Sequence, residues 1–120
     1  MIEQALIESR NWAEVAFDAA DDMQASNIVL LDVQEACEFA DYFVILTADS
    51  SRQLRALVED IEEQMSAVGA HLHHVEGTHN SGWILMDYGG VIVHMMGPDE
   101  RDYYGLENVW PEARRIRIIP

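Results

Sequence analysis

Histidines and a surplus of carboxylates are the side chains of this sequence with the widest chemical reach. Histidines fall close together at His71, His73, His74 and His79, with His94 apart from them. On a strand His71 and His73 point to one side, so their nitrogens can reach one metal ion, with His79 or Glu76 as a further ligand. That spacing matches no standard zinc signature, and polar histidines along a strand edge that respond to pH are the plainer expectation. Two-metal phosphoryl transfer asks for carboxylates at i and i+2 of a strand, aimed at one point. The acids on expected strands, Asp32 and Asp87, stand alone. The single cysteine, Cys37, excludes an internal disulfide and a cysteine-built zinc site. With no base or orienting group beside it, Cys37 reads as a small buried or loop residue. Ser50, Ser51, Ser66 and Ser81 have no base nearby in sequence either. Walker A, GxGxxG and GxSxG patterns are missing. The expectation is a binding protein, not an enzyme, with no cofactor and no metal.

Charge narrows the partner. The chain has 120 residues, with 22 acidic against 7 basic side chains and a net charge of -15. Every cation is an arginine. Phosphate neutralisation drives most non-specific nucleic-acid affinity, so direct sequence-specific nucleic-acid binding is not expected. Anionic membrane surfaces are disfavoured for the same reason. A basic protein is the better partner, although an acidic solvated surface accounts for the same composition. A hydrophobic fraction of 49% suffices for one core in one domain, 1–120, with the tail 114–120 left unassigned. No run reaches the ~20 apolar residues a membrane helix needs. Met1 to Arg10 resembles neither a signal peptide nor a transit peptide.

The elements that must position these groups follow from periodicity. Residues 3–23 are predicted helical, with Ala5, Leu6, Trp12, Ala13, Ala16, Ala19, Ala20 and Met23 on the apolar stripe and Glu3, Arg10, Glu14 and Asp21 opposite. Ile28–Val33 and Tyr42–Thr47 are apolar on both faces, as buried central strands are. Residues 51–68 carry Leu54, Leu57, Val58, Ile61, Met65 and Val68 at helical spacing, with Ser50 or Ser51 as cap and Gly69 as stop. His71–Val75 is a short predicted strand. Trp83–Tyr88 and Val91–Met96 flank Gly89-Gly90, a pair suited to a tight primed turn. After Gly97-Pro98, Asp99 is the expected cap of a short helix that Gly105 ends. Ile116 and Ile118 alternate with Arg115 and Arg117, which suits an edge strand. Alternating helix and strand patterns predict an α/β domain with a mixed sheet.

The hairpin register can be read directly. Tyr88 faces Val91, Met86 faces Val93 and Ile84 faces Met95, so these side chains share one apolar face. The other face pairs Asp87 with Ile92, Leu85 with His94 and Trp83 with Met96. A face mixing tryptophan, aliphatic and polar residues suits protein binding. It equally suits a sheet face that a helix covers, with Asp87 and His94 at its edge. Asp99 to Trp110 then places Tyr103, Tyr104 and Trp110 among carboxylates able to take arginine forks, or packs its aromatics inward.

Three blocks in fixed order resemble the Iojap-like ribosomal silencing factors. Asp41-Tyr42-Phe43-Val44-Ile45, continuing through Thr47, Ser50 or Ser51, Arg52 and Gln53, is similar to that family's D-Y-F-V-I-x-T-G-x-S-x-R-Q block. Gly82 to His94 is similar to G-W-x-L-x-D-Y-G-D-V-V-V-H, and Arg101, Tyr103, Tyr104, Leu106, Glu107 and Trp110 to R-x-Y-Y-x-L-E-x-L-W. Ala48 replaces the family's glycine, a change that bears on a turn. Gln24-Ala25-Ser26-Asn27-Ile28 replaces its K-A-x-D-I, which removes a lysine. The residues from Ile116 to Pro120 fall outside the pattern.

The resemblance implies a nucleotidyltransferase-like α/β fold without the catalytic acids. It also implies a cytoplasmic translational repressor that responds to nutrient limitation. Such a repressor binds the large ribosomal subunit through a basic protein of the uL-fourteen family, blocks subunit joining by occlusion, and forms a homodimer when free. The contact residues carried over are Trp83, Leu85, Asp87 and His94, then Arg101, Tyr104 and Glu107. The rival expectations are an active nucleotidyltransferase on the same fold and a histidine-based metal module.

Overall fold

A computed structural model describes residues 2–120. The elements are α1 (Ile2–Asp22), β1 (Ser26–Asp32), β2 (Tyr42–Thr47), α2 (Ser51–Ala67), β3 (His74–Glu76), β4 (Trp83–Asp87), β5 (Val91–Met96), α3 (Pro98–Tyr104), a single 3-10 turn (Leu106–Asn108) and β6 (Arg114–Ile119). One six-stranded mixed sheet runs β3-β4-β5-β2-β1-β6. β2 and β5 pair parallel at its centre, and every other pair is antiparallel. This is the α/β class that the alternation of patterns predicts.

Strand alternation sorts the core into two layers. Ile28, Leu30, Tyr42, Val44, Leu46, Ile84, Met86, Val91, Val93 and Met95 face α1 and α2. Helix α2 presents Leu54, Leu57, Ile61 and Met65 to that layer, and the Ser50 hydroxyl caps it by accepting the Gln53 N–H at 3.0 Å. The opposite face holds Val29, Leu31, Phe43, Ile45, Ile92, His94 and Met96. Its cover is the 33–40 loop, through Val33, Cys37 and Ala40, and the α3-to-β6 connection, through Leu106, Trp110 and Ala113.

Several local expectations change. In α1 the buried stripe starts later: Ala5 is exposed, and Phe17, missing from the predicted stripe, is fully buried. Glu14 is not a solvent-face residue. It holds Arg117 of β6 and Arg10 of its own helix, and although burial raises its pKa, those hydrogen bonds bring it below the ordinary carboxylate value. Arg117 also lies over the Phe17 ring, 4.1 Å from its centroid. The tail is therefore an edge strand anchored to α1. A register shift between Leu30 and Leu31 breaks its simple alternation, so Ile116 and Ile119 pack on the helix side while Ile118 is exposed. β3 starts at His74, not His71, and the cap of α3 is Gly97, with Pro98 in the first turn in place of an Asp99 cap. Ala48 is buried and its N–H donates to the Met96 carbonyl at 2.9 Å, so the family's glycine is not needed for a left-handed turn at this position.

Candidate partner-binding site

The Gly89-Gly90 turn sets the hairpin register, with Trp83 opposite Met96, Leu85 opposite His94 and Asp87 opposite Ile92, as the pairing argument predicts. The Tyr88 N–H donates to the Val91 carbonyl at 2.9 Å, and the Asp87 carboxylate accepts the Gly89 N–H at 2.8 Å. Trp83, Leu85 and Asp87 therefore form a row along one face of β4, each half-buried. Asp87 closes the far end of that row and fixes the turn.

His94 does not reach the surface. It is only 4% exposed, beneath Trp83, whose indole N–H donates to His94 Nδ1 at 3.2 Å. Phe43 meets the imidazole edge-on at 4.9 Å between centroids, and Trp110 meets Phe43 at 5.0 Å. A partner cannot touch His94 directly. Burial pushes its pKa down to about 4, so the ring is neutral at neutral pH. With Nδ1 accepting, the tautomer that fits carries its proton on Nε2, an atom with no protein partner among the described residues. His94 thus acts on the surface through Trp83, by fixing the plane of the indole.

Arg101 and Glu107 likewise serve the scaffold first. Their side chains are 11% and 20% exposed, and Arg101 Nε donates to Glu107 Oε1 at 3.2 Å. Arg101 Nη1 donates to the buried Thr47 Oγ1 at 3.0 Å. This ties α3 and the 3-10 turn to the end of β2. Thr47 was legible only as a strand residue, because its partner lies 54 positions away.

The tie sets the position of Tyr104, the last residue of α3, which Gly105 ends in a left-handed conformation at φ 50°. Tyr104 is 50% exposed, and its ring meets Trp83 at 4.8 Å between centroids. Tyr103, 82% exposed, stands edge-on to Tyr104 at 5.0 Å. Trp83, Leu85 and Tyr104 line a cavity of about 480 Å³, rimmed by Glu76 and Glu100. The structure thus brings Trp83, Leu85 and Tyr104 together, with Arg101, Glu107 and His94 as their supports, and leaves Asp87 at the other end of β4.

The chemistry considered for a metal or a catalytic centre is not assembled. Asp32 binds Arg114 at 2.9 Å, and Asp87 is committed to the hairpin turn. His71 and His73 do lie edge-to-face at 5.2 Å, but Glu76 pairs with His74 at 3.5 Å and His79 meets Arg55 at 2.7 Å. Among the described residues no three His, Cys, Asp or Glu side chains are grouped to hold a metal. No described helix is long and apolar enough to cross a membrane.

A mixed sheet with helices packed chiefly on one face, and a partly open aromatic surface over a buried histidine on the other, defines an α/β domain. A family model described as "Ribosomal silencing factor during starvation" matches residues 6–119, including β6. The chain is 37% identical over 107 residues to the ribosomal silencing factor RsfS of Bacillus subtilis, covering 89% of this chain and 91% of that one. A crystal structure of a Chromobacterium violaceum protein superposes with a TM-score of 0.80 at 32% identity, covering 85% of each chain. A mouse protein named "Mitochondrial assembly of ribosomal large subunit protein 1" is 29% identical over 89 residues, which span 72% of this chain and 39% of that one. The chain belongs to the ribosomal silencing factor family, which includes the Iojap proteins. Its bacterial relatives are named as silencing factors, not as enzymes.

Proposed function

We propose that this chain is a non-enzymatic, cytoplasmic translational repressor that binds the large ribosomal subunit. It docks on a basic ribosomal protein of the uL-fourteen family and occludes the face that meets the small subunit when nutrients fall. When free it pairs as a homodimer. The observation that carries the reading is the pair of half-buried Trp83 and exposed Tyr104, held in place by His94 below and by the Arg101–Glu107 tie beside it. Interface centres are enriched in such rigid aromatics, which bury large area at small entropic cost. The net charge of -15 favours a basic partner. The family description and the mouse relative's name point to the ribosome and, for the latter, to its large subunit. Trp83, Leu85, Asp87 and Tyr104 make the contacts, and His94, Arg101 and Glu107 hold them in position.

Sedimentation of the protein with isolated large and small subunits tests this. The expected result is co-migration with the large subunit alone. Trp83→Ala should weaken it by about 2 kcal/mol or more, the usual scale of an aromatic anchor, while a cooperative thermal melt persists. Equal binding by the variant would remove this face from the interface, and failure of the unaltered protein to co-migrate would reject the reading.

A further inference from the structure

Glu100 lies against two glycines. A Cβ on Gly82 would come within 2.6 Å of its Oε2, and one on Gly97 would press on its Oε1. Gly82 also sits at φ +80°, where a side chain is strained. The carboxylate end of Glu100 thus lies against both glycine backbones. Glu100 is the third residue of α3, the position from which a capping-box glutamate reaches back to the cap N–H. That role is already filled, because the Gly97 N–H donates to the Gly82 carbonyl at 2.8 Å. Glu100 is half-buried and, among the described residues, has no ion-pair partner.

It also opens onto the aromatic cavity. The walls of that cavity are Trp83, Tyr104 and Leu85, with Glu76 on the rim opposite Ser81 and Gly77. A guanidinium prefers a site with both an aromatic ring and a carboxylate, where the planar cation stacks on the ring while its N–H fork meets the carboxylate oxygens. An ammonium would use the charge without the stack or the fork. We infer that this cavity is a receptor for one arginine side chain of a basic protein partner, with the Trp83–Tyr104 pair as its aromatic side and Glu100 as the anionic anchor. The inference rests on the reading that this face meets a basic ribosomal protein, and it names the side chain that the face takes. Glu76, shared with His74 at 3.5 Å, adds charge at the rim.

Capped Gly-Arg-Gly, Gly-citrulline-Gly and Gly-Lys-Gly peptides are titrated into the folded protein while the Trp83 indole and Tyr104 ring signals are followed by NMR. In parallel, large ribosomal subunits are titrated with the unaltered protein, with Glu100→Gln and with Glu76→Gln. The expected result is saturable movement of both aromatic signals by the arginine peptide, less by lysine, least by citrulline, and loss of the effect in E100Q. E100Q should also bind subunits about 10- to 100-fold more weakly, the range for a lost charge-assisted hydrogen bond, with E76Q affected less. Equal movement by arginine and citrulline overturns the inference, as does equal movement by lysine; neither result depends on how E100Q folds. Normal subunit binding by a folded E100Q overturns it while leaving the ribosome reading intact. If the unaltered protein ignores the subunits, the ribosome reading fails, and the peptide series alone then decides the pocket.

Discussion

The two faces of the sheet are built for different ends. On the helix side, α1 and α2 lay continuous apolar stripes on alternate strand residues, and Phe17, Leu57, Ile61 and Met65 are sealed from water. On the other side the cover is the 33–40 loop and the connection from the 3-10 turn to β6, which pack on Phe43, Ile45 and Ile92 but leave Trp83, Leu85 and Tyr104 partly open. The first face has no histidine in its core. The second buries one, His94, with an unpartnered Nε2, and uses its other nitrogen to hold a surface tryptophan. A buried polar atom without a partner costs stability. Stability therefore resides chiefly with the helix side, and the proposed recognition surface lies on the face that carries this cost.

That separation can be broken in order of size. Phe17→Ala should cost about 3–5 kcal/mol of stability, because it empties a closed site and removes the ring under Arg117. Urea titration measures the loss, and the remaining folded protein should bind subunits unchanged. A binding defect beyond the folded fraction would show that the two faces are coupled.

The second test is pH. An unfolded imidazole protonates near 6.5, whereas burial holds folded His94 down to about 4. Between those values the unfolded state carries more protons, so stability falls as pH drops through that window, by about 3 kcal/mol in all. Above 6.5 the contribution is fully present. Thermal melts across this range should show the loss, and His94→Gln should flatten it. An unchanged slope in the variant would mean that His94 is not the group responsible.

Arg101→Met ranks next. It keeps the aliphatic stem but strands Glu107 and Thr47, at a cost of about 1–2 kcal/mol. Because α3 carries Tyr104, subunit binding should fall by more than stability does. Proportionate losses would assign the tie to the fold alone. Arg10→Gln is the smallest change: its pair with Glu14 is a half-exposed i,i+4 bridge, worth about 0.3 kcal/mol. A loss above about 1 kcal/mol would show that Arg10 also supports the Glu14–Arg117 anchor.

What the sequence by itself determined is what short range decides. Strand period and a Gly-Gly turn were enough for the hairpin register, since a slip of one residue would turn every apolar side chain to the wrong face. Helical periodicity and caps placed α2 almost to the residue, and apolar runs identified β1 and β2 as central strands. Trp83, Leu85 and Tyr104 were named through the family resemblance, since the residues alone suited a covered sheet face equally well; the structure brings the three together. Only the tertiary structure decided which of the named residues reach water. His94 and Asp87 share one face of the hairpin, but Trp83 and Phe43, itself packed by Trp110, bury His94 and leave Asp87 half-buried. Arg101 found Thr47 across 54 residues, and Glu100 came to lie against both glycines only when Gly82 met Gly97. No local pattern encodes such contacts, because each depends on how distant segments come together over the sheet, and the free energy that fixes them belongs to the assembled packing.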